Sequence, residues 1–200
     1  FSRLNTGGAN LKDQEIRNAV YRGSFDQFYE LIDRLALMPE FQDLIRLKEQ
    51  QKRELYDREL VLRFAALRPY TRPEDYPNKS LSKHMTDYLS ETVQEKKQIP
   101  EGLEDEFGRL CHLLKHPGVC DPFRHKIDRF LSGLYDGVMQ GIRQNLTYYE
   151  SVAADKLSQR IEAYKAIFES EQMSRYGTGS PYSVRKRLAA AYDCFNPNHE

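Results

Sequence analysis

An all-α, multi-helix assembly is the fold this sequence predicts, and three observations predict it. Apolar residues recur at spacings of three and four along almost the whole chain. Period-two alternation of β-branched residues is hard to find, and the breaks between apolar stripes fall at Gly, Pro and Asn. The 200 residues suffice for one domain with a real core or for two small ones, and 40% hydrophobic residues, with 10 Phe and 13 Tyr, make them globular rather than disordered.

The first helix is expected after the Gly7-Gly8 turn, from about Lys12 to the stop at Gly23. Ser24 then caps a helix whose stripe is Phe25, Phe28, Ile32 and Leu35, and Pro39 opens a short third one. A helix centred on Leu60, Val61, Phe64 and Leu67 ends at Arg68, because Pro69 forbids its continuation. Residues 69–80 hold Pro69, Pro73 and Pro77, so they read as a connection between an N-terminal helical part, 1–68, and a C-terminal one, 81–200. The whole is either a single assembly or two helical subdomains hinged there.

Beyond the connection, Leu81, Met85, Tyr88 and Leu89 mark a helix, and after a break near Ile99 another carries Leu103, Phe107, Leu110, Cys111 and Leu114. His116-Pro117-Gly118 ends it. The longest pattern, Ile127, Phe130, Leu131, Leu134, Val138 and Ile142, predicts one helix of several turns, followed by another at Leu157, Ile161, Tyr164 and Phe168. Within the longest pattern Gly133, Gly137 and Gly141 recur every fourth residue. Each glycine costs about 1 kcal/mol in a helix relative to alanine, and close approach to a packed neighbour, rather than a dimer seam, is the expected gain. Gly177 to Ser183 reads as a breaker-rich loop before a last helix with Val184, Leu188 and Tyr192.

Composition narrows the functions. Thirty Lys+Arg balance thirty Asp+Glu, giving formal charge +0 and a pI of about 7.1, so no global field marks a general nucleic-acid binder and any basic site must be local. No stretch is apolar enough to span a bilayer, so no membrane partner is expected. Cys111, Cys120 and Cys194 form no disulfide framework and suit a reducing cytoplasm. The chain opens at Phe1 with no signal-like segment behind it, which leads us to expect an upstream piece that was removed or never built.

Several clusters invite chemistry. Cys111, His112, His116, Cys120 and His125 offer soft metal ligands, but there is no Cys-x2-Cys knuckle and Cys111 fits an apolar face, so no metal is expected. His84 and His199 are expected on the surface. Arg185, Lys186 and Arg187 fall in the first turn of the last helix, capped by Ser183 or by Ser180 with Pro181 at its first position. Cations there oppose the helix dipole. With Arg175 and Tyr176 they form a candidate phosphate-binding patch, weighed evenly against a solvated charged face. Arg17, Arg22, Arg46, Lys48, Lys52 and Arg53, interspersed with acids, read as ordinary exposed faces. No nucleophile is paired with a base, so no catalytic residue is assigned.

The opening run, Phe1-Ser-Arg-Leu-Asn-Thr-Gly-Gly-Ala-Asn-Leu, is a loop whose paired glycines permit positive φ and would turn amides toward an anion at a helix N-terminus. Arg3, Asn5 and Thr6 could complete a phosphate site, but Asp13 and Glu15 can satisfy the same amides, so residue chemistry alone favours a structural turn. The order of residues adds more. Phe1, Arg3, Asn5, Gly7-Gly8, Leu11, Gln14-Glu15-Ile16-Arg17-Asn18 and Tyr21 closely resemble the Phe-x-Arg-x-Asn-x-Gly-Gly-x-x-Leu-x-x-Gln-Glu-[Ile/Leu]-Arg-Asn signature of the GmrSD-type restriction endonuclease family. Pro122-Phe123-Arg124, with Arg129-Phe130 and Leu134-Tyr135-Asp136-Gly137-Val138-Met139, resembles a second, looser family pattern, and Ser183-Val184-x-x-Arg187 a third. The likeness thus covers nearly the whole chain, strongly at its start.

The resemblance implies a two-part protein. A ParB/sulfiredoxin-type N-terminal part with an Asp-Gly-Gln-Gln-Arg motif, associated with nucleotide hydrolysis, precedes a helical part. Only the second is present here, since Asp136-Gly137 continues as Val138 and the five histidines match no His-Asn-His nuclease module. Lys12 departs from the small polar residue usual at that place. Implied too are an NTP and a divalent metal bound by the parent, none of them by this chain, and a cytoplasmic role in restricting foreign DNA in phage defence. Arg3, Asn5, Thr6, Gly7 and Gly8 would line the junction with the N-terminal part, facing its nucleotide or DNA pocket, while Gln14, Glu15, Arg17 and Asn18 lock that junction. The alternative is a non-catalytic helical module that binds DNA or a protein.

Overall fold

A computed structural model describes residues 26–96, 98–125, 129–171, 173 and 179–199. The expected first helix and the Ser24 cap lie outside them. Ten α-helices run through the described residues in chain order: α1 Asp26–Ala36, α2 Pro39–Ile45, α3 Glu49–Arg53, α4 Tyr56–Leu67, α5 Leu81–Ser90, α6 Leu103–Leu114, α7 Ser132–Arg143, α8 Leu146–Ser151, α9 Ala154–Ser170 and α10 Pro181–Cys194. The fold is all-α, with one two-stranded antiparallel sheet, β1 Arg124–His125 and β2 Arg129–Phe130, in the register Arg124 to Phe130 and His125 to Arg129.

Local sequence sets the boundaries. Pro39 sits in the first turn of α2, whose free carbonyls at the other end are met by a distant side chain. The buried Arg124 guanidinium donates to the carbonyl oxygen of Leu44 at 3.1 Å and to that of Ile45, so the residue after Pro122-Phe123 caps another helix. α4 starts after Leu55 in the left-handed region at φ 57° and stops at Leu67, with Pro69 beyond. Ser80 caps α5 and Ser180 caps α10, each hydroxyl accepting from the backbone N–H three residues on, at 3.3 and 3.2 Å. Ser180, not Ser183, is therefore the cap, and the loop before α10 ends three residues sooner than its composition suggests.

One expected helix start is instead a pair of short strands. Arg124–His125 pairs with Arg129–Phe130, the Leu131 N–H donates to the Phe123 carbonyl at 3.0 Å, and α7 begins only at Ser132, while Ile127 lies outside the described residues. The reason is packing: Phe123 and Phe130 both meet the Tyr135 ring, at 5.2 and 6.1 Å between centroids, while Arg124 reaches back to α2. The three-and-four spacing of Phe130 and Leu131 with Leu134 fits a helix equally well, so periodicity alone misassigns the segment. With that turn gone α7 has 12 residues, and α9, with 17, is the longest helix among those described.

α7 is the centre of the molecule. Every residue from Gly133 to Ile142 is buried, and the helix packs most extensively on α10, with α4, α6, α8 and α9 around it. A Cβ on Gly133 would come within 2.8 Å of the Phe168 ring on α9. One on Gly137 would overlap the Tyr164 phenol, and one on Gly141 the Phe195 ring, so the four-residue glycine spacing is the seat of α9 and α10. One hydrophobic cluster runs from Phe28 to Phe195 and includes Tyr76 of the 69–80 connection, which is 1% exposed. No helix among the described residues is long and apolar enough to cross a membrane.

Candidate functional site

Three charged side chains meet in the middle of the core. Asp136 on α7 is fully buried and accepts from Arg63 on α4 through a two-pronged contact, Nε to Oδ1 at 2.9 Å and Nη2 to Oδ2 at 2.6 Å. Arg187 on α10, 1% exposed, donates Nη2 to the same Oδ2 at 2.7 Å. On its other side Arg63 points Nη1 toward Glu59, 3.7 Å away. Burying an ion costs several kcal/mol, which only good geometry and matched hydrogen bonds offset.

The two arginines respond in opposite directions to the one carboxylate. Burial by itself would depress the Arg63 guanidinium, but the two-pronged Asp136 contact overrides it and raises Arg63 above the ordinary arginine value. Burial wins at Arg187, which is pushed down, since it holds Asp136 through one oxygen and lies near the like charge of Arg63. Neutral bonds continue the polar stripe of α7: Tyr135 donates its hydroxyl to the Leu60 carbonyl at 2.9 Å, and Gln140 its amide to Phe64 at 3.0 Å. The cluster ties α4, α7 and α10 together. Asp136, Arg63 and Arg187 are buried, and what they supply is cohesion between the three helices. Asp136 belongs to the second family-like pattern and Arg187 to the third, and they meet in one ion pair.

This geometry corrects the reading of the α10 cations. Arg185 donates Nε and Nη2 to the Tyr76 carbonyl at 2.9 and 2.7 Å, Lys186 pairs with Glu171 at 2.6 Å, and Arg187 faces the interior. Arg187 is thus answered inside the core and contributes nothing to a surface phosphate patch, Arg185 is held by a backbone carbonyl, and Lys186 pairs with the exposed Glu171 at the surface. Arg175, like Arg3, Asn5, Thr6, Gly7, Gly8, Gln14, Glu15, Arg17 and Asn18, lies outside the described residues.

The histidines and cysteines also find local roles. His84, expected on the surface, is buried with Nε2 at 3.0 Å from the Ala66 carbonyl and its ring edge-on to Tyr70 and Tyr76, at 5.3 and 5.2 Å between centroids. A carbonyl only accepts, so Nε2 carries the proton, and burial pushes the imidazole below its usual range. His125 reaches Glu169 at 2.8 Å and His116 accepts from the Gly118 N–H at 3.1 Å. Cys111 is buried in the core, and Cys120 bonds to α9 at Ser158 with its thiol pushed up to about 11 by burial. Among the described residues no three His, Cys, Asp or Glu side chains are placed to hold a metal ion.

Beside the cluster lies an open groove of about 390 Å³ lined by Lys48, Gln50, Gln51, Glu54, Tyr56 and Glu59. Glu59 belongs to both, since it lines the groove and faces Arg63. Sequence reasoning passed over Arg63, although a lone cation inside the apolar run Leu60-Val61-Leu62-Arg63-Phe64 is a signal that a buried partner exists. Compared with known proteins, the chain matches no family model, no curated protein and no solved structure.

Proposed function

We propose that this chain is the helical C-terminal portion of a GmrSD-type, nucleotide-dependent DNA restriction or phage-defence protein of the cytoplasm. The observation that carries the reading is the ordered run from Phe1 to Asn18, where Arg3, Asn5, Gly7-Gly8, Leu11 and Gln14 to Asn18 stand at the spacing of the family signature. The later patterns support it: they are far apart in sequence, yet Asp136 of one and Arg187 of the other form a single buried pair. In this reading NTP and divalent metal bind to a ParB/sulfiredoxin-type N-terminal part. The loop from Arg3 to Gly8 faces that pocket, and Gln14, Glu15, Arg17 and Asn18 hold the junction.

The test uses the protein with its N-terminal part joined. Asn5→Ala and Gly8→Ala are expected to lower NTP turnover and phage restriction while the thermal midpoint stays that of the parent. Unchanged turnover in folded variants, with DNA or protein binding retained, would instead make the chain a non-catalytic binding module.

A further inference from the structure

At the C-terminal end of α7, away from the Asp136 cluster, two more arginines share one carboxylate. Arg68, just past α4, grips Glu106 of α6 with Nε at 2.7 Å and Nη2 at 3.1 Å. Arg143, in the last turn of α7, reaches the same carboxylate only with Nη1 at 3.8 Å, and its Nε donates to Gln140 at 3.0 Å. The Arg143 side chain is 10% exposed, and among the described residues its Nη2 has no hydrogen-bond partner. A buried donor left unmatched costs about 1–3 kcal/mol, more when charged. Burial depresses Arg143 and the neighbouring Arg68 charge adds to it, and together they outweigh the Glu106 carboxylate at 3.8 Å and the Tyr192 hydroxyl beside the guanidinium. The ends of α4 and α7 soften the charge through their dipoles but give Nη2 no acceptor.

We propose that Arg68 and Arg143 form a binding site for a small oxyanion, with Glu106 as the resident carboxylate that guards it. Two guanidinium groups facing one carboxylate present the geometry that grips a phosphate or carboxylate with several parallel N–H donors. Glu106 and Arg68 are the solvent-facing rim, with side chains 27% and 21% exposed, whereas Arg143 lies beneath. An entering anion would take the unmatched Nη2 of Arg143 and part of the Arg68 fork, and Glu106 would turn into water. Glu106 is therefore a competitor, and its removal should strengthen the site.

The experiment is thermal unfolding of the full chain in inorganic phosphate against sodium chloride of equal ionic strength, with acetate as a carboxylate arm. Phosphate is expected to raise the unfolding midpoint beyond chloride. The half-saturating concentration should fall about tenfold in Glu106→Gln, which keeps a hydrogen-bonding side chain but removes the competing charge. Arg143→Gln should abolish the effect. A shift with acetate as well makes the ligand any oxyanion, and a shift with phosphate alone makes it a phosphate, both within the proposal. No shift in phosphate beyond that in chloride in either the parent or Glu106→Gln, or a shift that survives in folded Arg143→Gln, overturns it. Should Arg143→Gln fail to fold, the Glu106→Gln comparison decides alone.

Discussion

Asp136 shows how one carboxylate can organise three helices. Because Arg63 takes both its oxygens and Arg187 only one, losing Arg63 strips the larger share of the matched hydrogen bonds. Asp136→Ala leaves two cations facing each other in the core and should cost about 3–5 kcal/mol. Arg63→Met should cost more than Arg187→Met, both read from urea midpoints at constant slope. Equal losses for the two arginines would mean that the two-pronged contact adds nothing. His84 gives a second residue-scale expectation. Its ring is held neutral, below the usual value of 6.5, so in the window beneath 6.5 the unfolded chain binds more protons than the folded one. Stability is therefore full above that value and falls as the pH drops through it. Unfolding midpoints should decrease as the pH falls below about 6.5, and His84→Phe should flatten that part of the profile. The charged neighbours Lys79, Asp87 and Glu91 are present in both proteins, so the difference between the two profiles isolates the ring.

At the scale of elements, the helical stripes were legible because each apolar face is a local pattern: Leu81, Met85 and Leu89, or Leu157, Ile161, Tyr164 and Phe168, are buried at the spacing their sequence announces. The glycine ladder of α7 was legible for the same reason, and it carries a sharp expectation. Gly137→Ala drives a methyl group into the Tyr164 phenol, whose hydroxyl is already fixed on the Arg187 carbonyl at 3.2 Å, so at least about 2 kcal/mol should be lost through overpacking. Gly179→Ala meets no atom within 4 Å and should leave the thermal midpoint unchanged. The strand pair Arg124–His125 with Arg129–Phe130 was not legible, because what selects it is long-range: rings gathered around Tyr135, and an arginine needed at the end of a helix some eighty residues earlier. His84 was misread likewise, since its partners Ala66, Tyr70 and Tyr76 come from other elements.

For the whole molecule, α10 is the element that gathers distant parts. It places Arg187 on Asp136, Arg185 on the Tyr76 carbonyl and the Tyr192 hydroxyl on the Tyr70 carbonyl at 2.6 Å, so the proline-bearing connection is bound to the C-terminal helix. The three cations at its start read as an outward patch in sequence because charge is usually solvated, and only the position of α7 reveals an anion inside. On the proposed reading the run from Arg3 to Gly8 carries the function, and the helical body would be the scaffold that presents it. The most direct test of that account is NTP turnover by the protein with its N-terminal part joined, measured for the parent and for Asn5→Ala side by side. The account predicts turnover in the parent and its loss in a variant that still melts like the parent. Equal turnover in both, or none in a folded parent supplied with NTP, divalent metal and DNA, would contradict it.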